Sequence, residues 1–219
     1  MSRKNNRRQQ NRQQAPPQHR PDTREVAVAQ VTDKYSDYPS NGLTPVKLAE
    51  IFKEADAGDI LRQAELFEEM EEKDPHLFSQ LQTRKNAVTG LDFEIIPFDS
   101  DDERDKEIAE FVEAQINGIE GLEDIMLDLL DAIGKGFAVS EIMWAYEAGR
   151  VVVSDIRSRY QKRFFWDSED AFRVRTDEAP EGMELPKNKF ILHRYKARSG
   201  HPSRAGVLRV VAWMYLFKN

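Results

Sequence analysis

The chain has 219 residues, 40% hydrophobic and 32% charged, a length that suits one substantial domain or two small ones. It has no cysteine, which removes disulfides and thiolate metal sites; no run of 18 or more apolar residues predicts a spanning helix, and the basic N-terminus has no apolar run after it to make a secretory signal. The net charge of −7 hides a partition: six Lys/Arg against one Asp over residues 1–22, eleven basic against thirty acidic over 23–149, and fifteen basic against eight acidic over 150–219.

Residues 1–41 read as a disordered basic tail and linker. The first 22 are mostly Gln, Asn, Arg and Pro, too poor in large apolar side chains to offset the entropy of ordering them. Arg3, Arg7, Arg8 and Arg12 are candidate contacts to nucleic acid or to an acidic partner; a merely solubilising tail is the plainer reading. Val26, Val28 and Val31 have the spacing of a short strand. The folded part is predicted from residue 42 to 219, divided into a mainly helical acidic part (42–136) and a β-rich basic part (137–219).

Thr44-Pro45 is a strong helix start, an N-cap followed by Pro at the first helical position. Leu48, Ile51 and Phe52 give the helical spacing and Gly58 the stop. A second helix is predicted from about Asp59, with Leu61, Ala64, Leu66 and Phe67 inward and the acidic run Glu68 to Glu72 near its end. Asp74-Pro75 starts a third helix through Val88, with Leu77, Phe78 and Leu81 inward and Gly90 as its end. Residues 91–98 alternate like a half-buried strand. An acidic amphipathic helix is predicted over 101–117, with Ile108, Phe111, Val112 and Ile116 on one face. The spacing over 121–133 predicts the clearest helix, since Leu122, Ile125, Met126, Leu129, Leu130 and Ile133 share a stripe. Gly134-Lys135-Gly136 terminates it.

From Phe137 the period changes to two. Strands at 137–146 and 150–156 flank Glu147-Ala148-Gly149, a hairpin turn. Further strands are predicted near 162–166, 171–175 and 189–195. A final apolar-rich helix runs from Ser203, its N-cap, to Phe217. Helices, then a strand, then helices, then a meander of strands give an α+β class.

The chain shows little chemistry. Asp99-Ser100-Asp101-Asp102 lacks the Gly and distal Glu of a calcium loop and reads as an acidic helix start. His19, His76, His193 and His201 have no partner at ligand spacing; His76 is expected to face solvent and His193 to be packed or hydrogen-bonded. No GxSxG elbow occurs. Gly134-Lys135-Gly136 follows a helix, whereas a phosphate loop follows a strand. No catalytic residue, metal site or cofactor is therefore predicted, and the chain is read as not an enzyme.

Arg157, Arg159, Lys162 and Arg163 interleave with Tyr160, Phe164, Phe165 and Trp166. Cations alternating with aromatics can bind phosphates and stack on bases. The favoured alternative is an edge strand that buries Phe164 or Trp166 and turns its cations to solvent or to an acidic neighbour. The same two readings, nucleic-acid or subunit contact, apply to Arg194, Lys196, Arg198, Arg204 and Arg209.

Three blocks of the chain resemble one family. The first is Gly42-Leu43-Thr44-Pro45 through Ile51, then Glu54-Ala55-Asp56-Ala57-Gly58-Asp59 and Ala64 to Asp74. The second is Leu127 to Phe137, then Glu141-Ile142 and Trp144. The third is His193-Arg194-Tyr195, Ala197 to Gly200, Arg204-Ala205-Gly206, and Arg209 through Asn219. From about residue 42 to its end the chain resembles the N-terminal part of the Mu-like bacteriophage portal family, its wing-like α+β region. The resemblance implies a structural subunit of a phage or prophage portal at the capsid vertex, for DNA packaging, ejection and head-tail joining. It implies copies of the chain in a dodecameric ring, other capsid, packaging-motor and head-tail proteins as partners, and double-stranded DNA passing through. It places the protein in the virion, or in the bacterial cytoplasm during assembly, with no membrane. Family members continue into stem and clip regions, so a truncated subunit with its last helix cut short is expected. The alternative function is a nucleic-acid-binding module that uses the basic tail and the basic/aromatic strand.

Overall fold

The computed structural model describes residues 22–27 and 39–218. Helices α1 (Pro45–Asp56), α2 (Leu61–Lys73) and α3 (Pro75–Thr89) come first. The Thr44 side chain accepts from the Lys47 amide, and Asp74 accepts from the His76 and Leu77 amides. The two N-cap–Pro signals in the sequence therefore mark real starts. Helices α4 (Glu103–Asn117), α5 (Leu122–Leu129) and the single turn α6 (Ala132–Lys135) follow.

Strands β1 (Phe137–Glu147), β2 (Arg150–Arg159) and β6 (Phe190–Arg194) form an antiparallel sheet in the order β2-β1-β6. Strands β3 (Phe164–Trp166), β4 (Phe172–Val174) and β5 (Met183–Glu184) form a second antiparallel sheet. The last helix is α7 (Val207–Lys218). The class is α+β, as expected. The β1–β2 turn places Ala148 and Gly149 at φ 48° and 78°, the two left-handed residues of a hairpin turn whose twist suits the strands.

Two apolar clusters hold these elements. The first joins α1, α2, α3, Ile133 and α7, with Leu48, Leu66, Phe67, Met70 and Leu208 inside. The second lies between the sheets and the end of α1, with Ala55, Ile60, Phe137, Val139, Phe164, Trp166 and Val174. Its rings meet edge-on: Phe137 and Trp166 have centroids 4.9 Å apart at 82°, an arrangement favoured by the ring quadrupoles. Gly58 lets this junction close. A Cβ there would lie 2.1 Å from the Trp166 carbonyl oxygen.

Several expectations change. Residues 91–98 form no strand; they cross from α3 to α4 as part of neither sheet, and Leu91, Phe93, Ile96 and Phe98 are exposed. Alternation marks a strand only where a ladder partner exists. The stripe over 121–133 is interrupted at Leu130-Asp131, where Asp131 accepts from the ammonium groups of both Lys85 and Lys135. Helix α4 buries only Ala109, and Ile108 and Val112 of its predicted inner face are exposed. Leu61 and Phe78 point outward, whereas Gln63, Glu69 and Lys85 are buried.

The strands of the second sheet are shorter than predicted, Lys162 lies in a 3-10 turn (Gln161–Arg163), and β5 was not anticipated. The last helix starts at Val207, not Ser203. Ser203 is buried in a 3-10 turn (Pro202–Arg204) whose cap is His201. The Pro202 carbonyl of that turn packs against Gly136 and the Gly134 carbonyl packs against Gly206; an added Cβ would meet these oxygens at 2.3 and 2.2 Å. His76 is exposed as expected, and His193, expected to be packed or hydrogen-bonded, is exposed on β6. Of the short strand expected at Val26, Val28 and Val31, Val26 lies in a bend, and Val28 and Val31 fall outside the described residues.

Candidate functional site: the assembly surfaces

The cations picked out between 157 and 163 are largely engaged within the fold. Arg159 has a side chain only 5% exposed; its Nε lies 2.9 Å from Glu141 Oε2, and its other arm pairs with Glu25. Arg157 pairs with Asp155 at 2.8 Å and Glu25 at 3.0 Å. Lys162 is buried with its ammonium 5.6 Å from the Tyr160 ring centre. Arg163 is half-buried, and its carbonyl accepts from the Arg175 amide at 2.7 Å. Phe164 and Trp166 lie in the second core cluster. Arg198 and Arg204 are exposed; Arg198 Nε donates to the Arg204 carbonyl at 2.9 Å, and Arg204 lies 3.9 Å from Asp56. Arg3, Arg7, Arg8 and Arg12 fall outside the described residues.

The structure thus brings Arg157 and Arg159 together across Glu25, and Arg198 beside Arg204. It also shows a centre that sequence reasoning missed. Glu141 is fully buried and accepts from the amides of Val26 at 2.5 Å and Ala27 at 3.0 Å, besides Arg159, with Lys189 Nζ at 3.6 Å. A short N-terminal segment is thereby strapped to β1. The signal was present in the strand period: Phe137, Val139 and Glu141 share one face, so an acid there lies among core side chains.

A second buried ionic group joins α2, α3 and α6. Lys135 lies 2.5 Å from Asp131 Oδ2 and 3.5 Å from Glu71 Oε2, and Lys85 also pairs with Asp131. Burial pulls the Lys135 pKa down, yet Asp131 and Glu71 more than offset this and hold it above the usual lysine value. Burial raises the Asp131 carboxyl, but Lys135 and Lys85 bring it below its usual range. Glu71 is held above its usual range, chiefly by burial, and its Oε1 has no hydrogen-bond partner. These groups connect helices. Among the described residues no set of three His, Asp or Glu side chains is placed to hold a metal ion, and no helix is long and apolar enough to cross a membrane.

Two stretches of opposite character remain at the surface. From Asp92 to Asp128 there are fourteen acidic side chains and only Arg104 and Lys106 as cations. Asp102 caps α4 by accepting from the Arg104 amide at 2.8 Å, so the Asp99–Asp102 run is a helix start. The same stretch exposes Phe98 fully and Ile96 to 73%. Between residues 89–95, the end of α4 and the start of α5 lies a groove of about 710 Å³. In contrast, Leu185 to Asn219 contains no Asp or Glu and eight Lys/Arg. It exposes Val210, Trp213, Met214 and Phe217 along α7, a helical i, i+3, i+4, i+7 stripe. Among the described residues no ion pair joins these two stretches.

Comparisons with known proteins agree on one family. The family model described as "Portal protein of Mu bacteriophage" matches residues 64–219. The chain is 36% identical over 189 residues to the "Mu-like prophage FluMu protein gp29" of Haemophilus influenzae, covering 84% of this chain and 36% of that protein. It is 31% identical over 198 residues to the "Portal protein" of Escherichia phage Mu, covering 90% of this chain and 39% of that protein. The match thus spans less than two-fifths of the length of either relative.

Proposed function

We propose a function from one premise: the chain belongs to the Mu bacteriophage portal protein family. On that premise it is a structural, non-enzymatic subunit of a phage or prophage portal at a capsid vertex, acting in DNA packaging, ejection and head-tail joining. Its partners are copies of itself in a twelve-membered ring, other capsid, packaging-motor and head-tail proteins, and the double-stranded DNA that passes through. It works in the virion, after assembly in the bacterial cytoplasm.

The supporting observation in this chain is its segregated surface charge: an acidic stretch (92–128) and a carboxylate-free stretch (185–219) that, among the described residues, form no ion pair with each other, with Arg194, Lys196 and Arg198 of the second exposed. Two different complementary patches on one subunit give a heterologous contact, which closes into a ring when the rotation allows. Such a contact is steered by opposite charges and weakened by salt. Sedimentation velocity of the chain is therefore expected to show association at low ionic strength that fades as salt is added. A strictly monomeric species at low salt and high protein concentration would count against ring-forming contacts within this region.

The nucleic-acid-module reading is weaker here, because Arg157 and Arg159 are engaged by Glu25, Asp155 and Glu141. It requires DNA binding with a steep salt slope.

A further inference from the structure

We infer that the acid-lined groove between residues 89–95, α4 and α5 is the receptor for the carboxylate-free stretch, residues 185–219, of a second copy of this chain; this rests on the portal reading and gives its subunit contact an address. The groove is lined by the apolar side chains of Leu91, Phe93, Ile116 and Leu122 together with the acidic ones of Asp92, Glu113, Glu123 and Asp124. Helix α4, one wall, buries only Ala109 within its own copy. Apolar surface left this open stabilises a contact by roughly 25 cal/mol for each Å² it removes from water, and grouped apolar side chains with a polar rim mark interaction sites.

The charge of the groove selects the occupant. A polyanion such as DNA is repelled by the four carboxylates that line the groove, Asp92, Glu113, Glu123 and Asp124, and so is an anionic membrane surface. The occupant must carry cations for these acids and apolar side chains for the apolar lining. The stretch from 185 to 219 supplies both: Arg194, Lys196 and Arg198 are exposed, and α7 shows Val210, Met214 and Phe217 to solvent. Residues 1–22 carry six cations but almost no large apolar side chain to meet the apolar lining. Since groove and stretch do not pair within one copy, each is left for a neighbour, and each copy uses both once.

Two double substitutions at exposed positions test the pairing. Asp92→Lys with Glu113→Lys puts two cations into the groove. Arg194→Glu with Lys196→Glu makes the stretch acidic. Each variant alone sets like charge against like charge, and its self-association at low salt is expected to weaken by about tenfold or more. An equimolar mixture of the two is expected to associate again, because the altered groove meets the acidic stretch and the untouched groove meets the untouched stretch. Unchanged circular dichroism and melting show that the fold is intact.

Either variant associating like the parent, or a mixture that stays monomeric, overturns the groove as the receptor. A parent chain that still associates in a salt-sensitive way then leaves the portal reading standing with its contact elsewhere. Loss of association on deleting residues 1–21, with both double variants unaffected, names the tail as the occupant and also overturns the proposal. A parent chain that is monomeric throughout overturns it as a self-contact, while the family assignment stands on sequence.

Discussion

The sharpest consequences at the scale of single residues come from backbone geometry and buried charge. Gly136 has φ 98°, and a Cβ on it would lie 2.3 Å from the Pro202 carbonyl oxygen. Gly136→Ala is therefore expected to cost more than about 2 kcal/mol in urea unfolding, from the left-handed backbone and the clash together. The sequence showed this position as a helix stop, which it is, but the carbonyl that crowds it comes from a turn far along the chain.

Glu71 gives a test with a pH signature. Burial holds its carboxyl above the ordinary value of about 4.5, with Asp131 adding to the rise and Lys135 opposing it. A carboxyl whose folded pKa lies above its unfolded one binds its proton more tightly in the fold. Its contribution to stability therefore falls as pH rises from the unfolded value through the folded one. Glu71→Gln is expected to melt later than the parent at pH 7, and the difference should shrink as pH falls toward 4. An unchanged difference at both pH values would show that packing, not ionisation, sets the effect. Composition placed Glu68 to Glu72 as one acidic run, whereas the fold separates its members: Glu69 is fully buried, accepting from the Ser40 amide at 2.7 Å and pairing with Lys73 at 2.5 Å, while Glu72 is exposed. Which acid faces inward depends on the partners that long-range packing supplies.

Among the elements, those with local signals were readable and those that needed a distant partner were not. Thr44-Pro45 and Asp74-Pro75 mark α1 and α3 because the cap bond is made within three residues. The hairpin was readable from its period and its turn, and its register runs from Val139 opposite Arg159 to Glu147 opposite Arg150. Segment 91–98 has strand-like alternation but no ladder beside it, and α4 has an apolar face with almost no core against it. Both errors arose where apolar side chains remain at the surface, which is also where the candidate contact lies. The strap over β1 belongs to this scale as well. Glu141→Ala leaves the buried Arg159 and Lys189 short of a counter-charge and frees the amides of Val26 and Ala27. It is expected to cost about 3 to 5 kcal/mol and to speed proteolytic cleavage near residues 22–27, read by mass spectrometry of the fragments.

The charge partition of the whole molecule was countable in the sequence, but its meaning was not. Counting showed an acidic part and a basic part; the structure shows that internal pairing consumes Arg157, Arg159, Lys135, Lys189 and Arg209 and leaves most acids of 92–128, and Arg194, Lys196 and Arg198 of the 185–219 stretch, facing solvent. Sequence reasoning weighed the 157–166 segment as a nucleic-acid contact because cations and aromatics alternate there, and favoured an edge strand with its cations turned to solvent or to an acidic neighbour; alternation cannot reveal that the acids are Glu25 and Glu141. If association depends on the exposed stretches, its salt dependence should be the same with or without Arg157→Gln, since that cation already pairs with Asp155 and Glu25 of its own copy.

The hairpin carries a mechanical consequence. Strand β6 pairs with β1 only from Phe137 to Glu141, and the register of β1 against β2 slips between Met143 and Trp144. Beyond that slip the hairpin is a two-stranded ribbon, propped by α5 and by Gln115, whose side-chain oxygen accepts from the Val153 amide at 3.0 Å. The slip is thus a natural elbow, with the root of the hairpin clamped by β6 and its tip resting on the acidic helices, where the Arg150 guanidinium lies 5.7 Å from the Phe111 ring centre. A load applied to the acidic helices by an adjoining subunit would swing that tip before it disturbed either core.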